Sequence, residues 1–148
     1  MADDMSKDDQ VIEHDDYWLV APLAGKAVTR CFVDHAFGIE CWDSEQETTI
    51  RIEGNFVYKA NGTEYRLSPE QPTALGPTLS TLHKIVHSAR VYKDGCLEVN
   101  FADGSSLSVK PDSEYEAWEI VGSGGLRMVC GPGGRLSLWQ REEGGNKL

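Results

Sequence analysis

Residues 27–67 read AVTRCFVDHAFGIECWDSEQETTIRIEGNFVYKANGTEYRL. Apolar and polar side chains alternate here over short runs, and turn-forming residues separate the runs. Alternation sends successive side chains to opposite faces of an extended chain, the mark of half-buried antiparallel strands. The runs predict strands over Ala27–Val33, Phe37–Trp42, Thr48–Glu53, Phe56–Lys59 and Thr63–Leu67. Asn61-Gly62, between the last two, suits a two-residue type I′ hairpin turn, whose central residues both need positive φ.

The same grammar resumes downstream. Strands are predicted over His87–Lys93, Leu97–Phe101, Leu107–Lys110, Tyr115–Val121, Leu126–Cys130 and Arg135–Gln140, with Asp94-Gly95 and Asp103-Gly104 as turns. Between the two sets Pro77 can open a helix, and Leu79, Leu82 and Val86 share one helical face, which predicts a short helix over Pro77–Lys84. The halves, about 23–70 and 82–140, echo one another. Arg30, Phe32, Asp34, Phe37, Ile39 and Cys41 match Arg90, Tyr92, Asp94, Leu97, Val99 and Phe101 at a constant offset of 60. Ile50 to Gly54 echoes Leu107 to Pro111, and Arg66-Leu67-Ser68 recurs as Arg135-Leu136-Ser137. The expected fold is mostly β: one domain over 17–148 made of two similar antiparallel meanders, forming a curved sheet, sandwich or barrel-like body with one short connecting helix.

Charge is unevenly spread. Residues 1–16 carry a net −6 of the formal −10, so the body is close to −4. Such a segment buries too little apolar area to offset ordering and is expected to be a disordered acidic tail. Lysine and arginine form no cluster that would grip phosphates, so nucleic acid is not an expected partner. No apolar run approaches the roughly 20 residues that span a bilayer, and the acidic start differs from the basic start of a signal peptide. The expectation is a cytoplasmic protein with no membrane partner. Cys31, Cys41, Cys96 and Cys130 lack CxxC spacing and are expected to be buried free thiols. Cys31 and Cys41 could face each other across a hairpin, but a cytosolic location argues against a structural disulfide.

The most distinctive stretch runs from Phe101 to Gln140 and contains DGSSLSVKPDSEYEAWE and VCGPGGRLSLW. With Asp103, Gly104, Pro111, Asp112, Tyr115, Glu116, Ala117, Trp118, Glu119, Cys130, Pro132, Gly133, Gly134 and Trp139 in place, it resembles a family of small uncharacterised bacterial proteins. The resemblance implies a fold and a kinship, and no activity.

On the predicted strand, Glu114, Glu116 and Trp118 share one face while Tyr115, Ala117 and Glu119 share the other. Paired glutamates beside aromatics could serve acid–base chemistry, or they could be a wet face over inward-packed Tyr115 and Ala117. His83 and His87 stand four apart, but no glutamate of a zinc-binding HExxH motif lies between them, and neither metal nor cofactor is expected. Gly122-Ser123-Gly124-Gly125 reads as a hairpin turn and not as a phosphate cradle. Of Trp18, Trp42, Trp118 and Trp139, most are expected in the core, with Trp18 at the tail boundary the one to be exposed. These readings favour a non-catalytic module that binds another protein, one with a basic surface, through Glu114, Glu116 and Trp18. An immunity-type partner of a bacterial toxin is one specific form. The alternatives are a small hydrolase-like enzyme using Glu114 and Glu116 with a histidine, and a structural subunit of an assembly.

Overall fold

In the computed structural model, which describes residues 10–140, the alternating runs pair into two antiparallel sheets. The first nine residues of the acidic segment and residues 141–148 lie outside the described range. Strands β1 (Val11–Glu13) and β2 (Tyr17–Val20) precede a first meander of β3 (Val28–Val33), β4 (Phe37–Trp42) and β5 (Glu47–Ile52). The hairpin β6 (Phe56–Ala60) and β7 (Thr63–Leu67) follows, and its Asn61 and Gly62 have the positive φ that the turn requires. A second meander comprises β8 (Val86–Tyr92), β9 (Leu97–Phe101) and β10 (Ser106–Val109). The chain ends in β11 (Trp118–Gly122), β12 (Arg127–Cys130) and β13 (Leu136–Trp139).

The seven-stranded sheet has the order β1-β2-β8-β9-β10-β6-β7, and the six-stranded sheet the order β13-β12-β11-β5-β4-β3. Each meander is therefore extended by a hairpin from the other half of the chain. β5 takes β11 with Ile52 opposite Trp118, and β10 takes β6 with Val109 opposite Phe56. The two crossovers touch, because the N–H groups of Glu53 and Gly54 both donate to the Ala117 carbonyl, at 2.9 and 3.1 Å. The echo of Arg66-Leu67 in Arg135-Leu136 has no counterpart in the pairing. Leu67 faces Phe56 as Cys130 faces Trp118, whereas Leu136 lies on the additional strand β13.

The inner faces meet in one core. Ile39, Ile50, Ile52, Trp118, Ile120 and Met128 of one sheet are buried with Tyr58, Val91, Leu97, Val99, Leu107 and Val109 of the other. The Phe37 and Phe56 rings stack across the layers with centroids 5.7 Å apart. Each such side chain contributes about 1.5–3 kcal/mol by leaving water, which makes the shared interior the main stabilising term.

Four expectations are corrected. The acidic segment was expected to be disordered to Asp16, but Val11-Ile12 supplies enough alternation to add β1 to the sheet edge. Val11 is buried, and its N–H donates to Gln140 Oε1 at 2.9 Å, so the two ends of the described chain clasp each other. The connecting helix is a 3-10 helix over Pro72–Thr81, displaced from the predicted Pro77–Lys84. The hydroxyls of Thr78, Ser80 and Thr81 each bond the carbonyl three residues earlier, at 2.5–2.8 Å, which suits the tighter turn. Leu75, Thr78 and Thr81 face inward, leaving Leu79 and Leu82 exposed. The strand predicted from Tyr115 starts only at Trp118, because the Asp112 carboxylate accepts the N–H groups of Glu114 (2.7 Å) and Tyr115 (3.1 Å) and curls the chain. Trp18 is buried on β2, a strand that the sequence reading missed.

The segment after the 3-10 helix is pinned by Lys84. Its ammonium reaches Asp103 at 2.7 Å and the Ser105 hydroxyl at 2.9 Å, while the Tyr58 hydroxyl bonds Ser80 at 2.7 Å. Burial works to lower the Lys84 pKa, but the bonds to Asp103 and Tyr58 outweigh it and hold the amine above its usual range.

Candidate functional site

The three residues singled out in sequence do not form one site. Glu114 and Glu116 are exposed in the Asp112–Ala117 crossover, and Tyr115, expected to pack inward, is 70% exposed between them. No ion pair or hydrogen bond joins either glutamate to a histidine among the described residues. Trp18 lies inside, with the Lys93 ammonium 4.3 Å from its ring and the same ammonium 2.5 Å from Glu13.

The distinctive C-terminal motif converges instead on the Asp94-Gly95 turn. Trp118, with none of its surface exposed, donates its indole N–H to the Gly95 carbonyl at 2.9 Å. Gly134 packs so closely that a Cβ there would lie 2.4 Å from the Asp94 oxygen, and its φ of +89 is one that side-chain-bearing residues rarely adopt. The Gly133 N–H reaches the Asp112 carbonyl at 2.7 Å. The motif thus ties the β8–β9 turn of the second meander to the crossover and to the loop before β13, which is a folding role. Burial holds the nearby Cys130 thiol at about 11 and the Cys41 thiol at about 12, so both stay protonated at neutral pH. None of the four cysteines is in a disulfide.

A different constellation appears on the outer face of the six-stranded sheet. Pairing places Arg30, Glu40, Thr49, Val121, Arg127 and Trp139 in one row across all six strands. The adjacent row is Phe32, Gly38, Arg51, Glu119, Val129 and Ser137. At about 4.8 Å per strand each row is roughly 24 Å long. Phe32 lies flat over Gly38, where a Cβ would come within 2.0 Å of the ring, so glycine is what lets the aromatic lie down on the sheet. Arg30 sits 4.9 Å and Arg51 5.9 Å from the Phe32 ring centre, and Arg127 sits 5.4 Å from that of Trp139.

Each arginine on this face is also paired with acid: Arg30 with Glu40 (3.3 Å), Arg51 with Asp34 (3.0 Å), and Arg127 with Glu119 (2.6 Å). Backbone bonding from Ala36, followed by the Arg51 side chain, lowers the Asp34 pKa. At one end of the face the Lys26 ammonium, together with the N–H groups of Glu45 and Gln46, brings Asp43 down to about 2. Large apolar groups stand out of this neutralised surface, with Trp42 59%, Val121 42% and Trp139 37% exposed. Sequence reading expected most tryptophans in the core and missed this face. Its rows exist only through the β5–β11 pairing, which joins residues far apart in the chain.

The model of a family of unknown function, DUF6188, matches residues 19–140. The chain belongs to this family. The matched segment begins within β2 and runs through Gln140, so it covers the six-stranded sheet, all of the seven-stranded sheet but β1 and the start of β2, the converging motif and the exposed tryptophans. No curated protein and no solved structure matches the chain. Among the described residues no helix is long and apolar enough to cross a membrane, and no group of three His, Cys, Asp or Glu side chains is placed to hold a metal ion.

Proposed function

We propose that the chain is a non-catalytic protein-binding module that docks its partner on the outer face of the six-stranded sheet. The supporting observation is the exposure of Trp42, Val121 and Trp139 on a sheet whose arginines are held in place by acid partners and aromatic rings. Tryptophan and arginine are the residue types that most often dominate binding energy, and a fixed arginine loses little freedom when a partner covers it. Large exposed apolar side chains set among charged ones on a single sheet face are the kind of surface that serves interaction. The ion pairs add little to folding where they are, since exposed pairs contribute about 0–1 kcal/mol.

A photo-crosslinking residue in place of Trp42 should capture one defined protein from an extract of the source cells, and the same residue at Asn100, on the outer face of the other sheet, should not. Equal capture from both positions would contradict the proposal. Self-association of the wild type that Trp42→Arg abolishes would assign the face to a second copy and overturn it as well.

A further inference from the structure

The opposite sheet carries a surface of different chemistry at its β7 edge. The type I′ turn at Asn61-Gly62 makes Ala60 and Thr63 the closing hydrogen-bonded pair, so Tyr58–Tyr65 and Phe56–Leu67 are hydrogen-bonded as well. The backbone N–H and C=O groups of Glu64 and Arg66 therefore point away from β6, along the free edge. They meet no partner among the described residues. Thr63, Glu64 and Arg66 are exposed. Two of the other three sheet edges, β3 and β1, are less open to a new strand. β3 is bulged between Val28 and Arg30, and the Val11 N–H of β1 is taken by Gln140.

Beside this edge lies a groove of about 770 Å3, bounded by Lys59, Glu64, Arg66, Ser108, Lys110 and Asp112 among others. Three cations face two acids here, in a chain whose formal charge is −10. Glu64 engages both Arg66 (2.9 Å) and Lys59 (3.8 Å), and one oxygen of Asp112 is already bound by the Glu114 and Tyr115 N–H groups. Lys110 makes no ion pair among the described residues. The local excess of positive charge, against the sign of the whole chain, selects for an anionic occupant, and the open backbone edge selects for an extended one.

We propose that β7 receives an extended acidic segment of a partner protein as an additional strand, with its carboxylates against Arg66 and Lys59 on the near side of the groove and Lys110 at the end of β10 adding longer-range attraction. Backbone pairing supplies affinity in this mode of recognition, and side chains of alternate residues supply the selectivity. The site is separate from the tryptophan-bearing face, so neither proposal depends on the other.

The test uses the full chain at low salt and labelled peptides of about seven residues, read by fluorescence anisotropy and amide hydrogen exchange. A peptide of alternating aspartate and valine should bind and slow exchange at the Glu64 and Arg66 amides. Its lysine–valine counterpart, and the same acidic peptide N-methylated at its central residues, should bind at least about tenfold more weakly, a difference of about 1.4 kcal/mol. Lys59→Glu/Lys110→Glu should weaken the acidic peptide by a similar factor, while Trp42→Arg should leave it unchanged.

Glu64→Pro separates the two halves of the idea. It removes an acid, which by charge alone tightens binding, but it also removes an outward N–H, which by strand pairing loosens it; the proposal requires loosening. Glu64→Gln should tighten binding and serves as the folded control. Equal binding of the N-methylated peptide, exchange protection at β1 or β13 in place of β7, or no binding of the acidic peptide would overturn the proposal. The last result would mean that the edge charges serve to keep other sheets away.

Discussion

The two sheets share a strand plan, a three-strand meander extended by a hairpin of the other half, yet they present opposite outer faces. The six-stranded sheet shows Trp42, Trp139, Phe32 and arginines neutralised by Glu40, Asp34 and Glu119. Across the seven-stranded sheet the corresponding row is Leu19, Arg90, Glu98, Ser108, Val57 and Arg66, with Ser88, Asn100, Ser106, Lys59 and Glu64 beside it. Inner faces answer to a common core and so look alike. Outer faces are not needed for packing, and their divergence is where function leaves its trace.

The largest contrast concerns identical residue types in opposite surroundings. Trp118→Ala should cost about 3–5 kcal/mol in urea denaturation, as removal of a fully buried aromatic does. Trp42→Ala should stay within about 0.5 kcal/mol of wild type. A destabilisation by Trp42→Ala comparable to that of Trp118→Ala would erase the distinction between core and docking tryptophans.

The next contrast concerns binding. Trp42→Arg/Trp139→Arg should weaken the crosslinked partner by about 2–4 kcal/mol, the range of interface hot spots, measured by titration calorimetry. Asn100→Arg on the other sheet should change the affinity several-fold at most. The reverse order would move the docking face to the seven-stranded sheet.

A smaller effect tests the clasp that joins the extra strands β1 and β13. Gln140→Ala leaves the buried Val11 N–H without its acceptor and should cost about 1–3 kcal/mol. No change in denaturant midpoint would restore the expectation that the acidic segment stands outside the fold.

The smallest effect is a pH dependence on the tryptophan-bearing face. Asp43 is depressed from 3.8 to about 2, so its contribution to stability is present above pH 4 and is lost as pH falls towards 2. The wild type should therefore destabilise more steeply over that window than Asp43→Asn, and parallel acid titrations would contradict the assignment.

Much of the fold was legible in sequence because alternation is local. Every strand from Phe37 to Phe101 was anticipated to within a few residues, as was the Asn61-Gly62 turn. The 3-10 helix was misread because spacing alone does not reveal that Thr78, Ser80 and Thr81 bond three residues back. β2 was overlooked because the acids before Tyr17 masked the alternation of Tyr17 to Val20. Glu114 and Glu116 were assigned to a strand because the Asp112 side chain, which curls that segment, competes with sheet hydrogen bonding in a way that periodicity does not register. The tryptophan-bearing rows were out of reach, since they depend on β11 lying beside β5.

The most direct measurement is hydroxyl-radical footprinting of the free chain and of its complex with the protein crosslinked at position 42. The account predicts that Trp42 and Trp139 are labelled in the free chain and protected in the complex, while Tyr17 and Tyr92 on the opposite sheet are labelled equally in both. Undiminished labelling of Trp42 and Trp139 in the complex, or protection confined to Tyr17 and Tyr92, would contradict it.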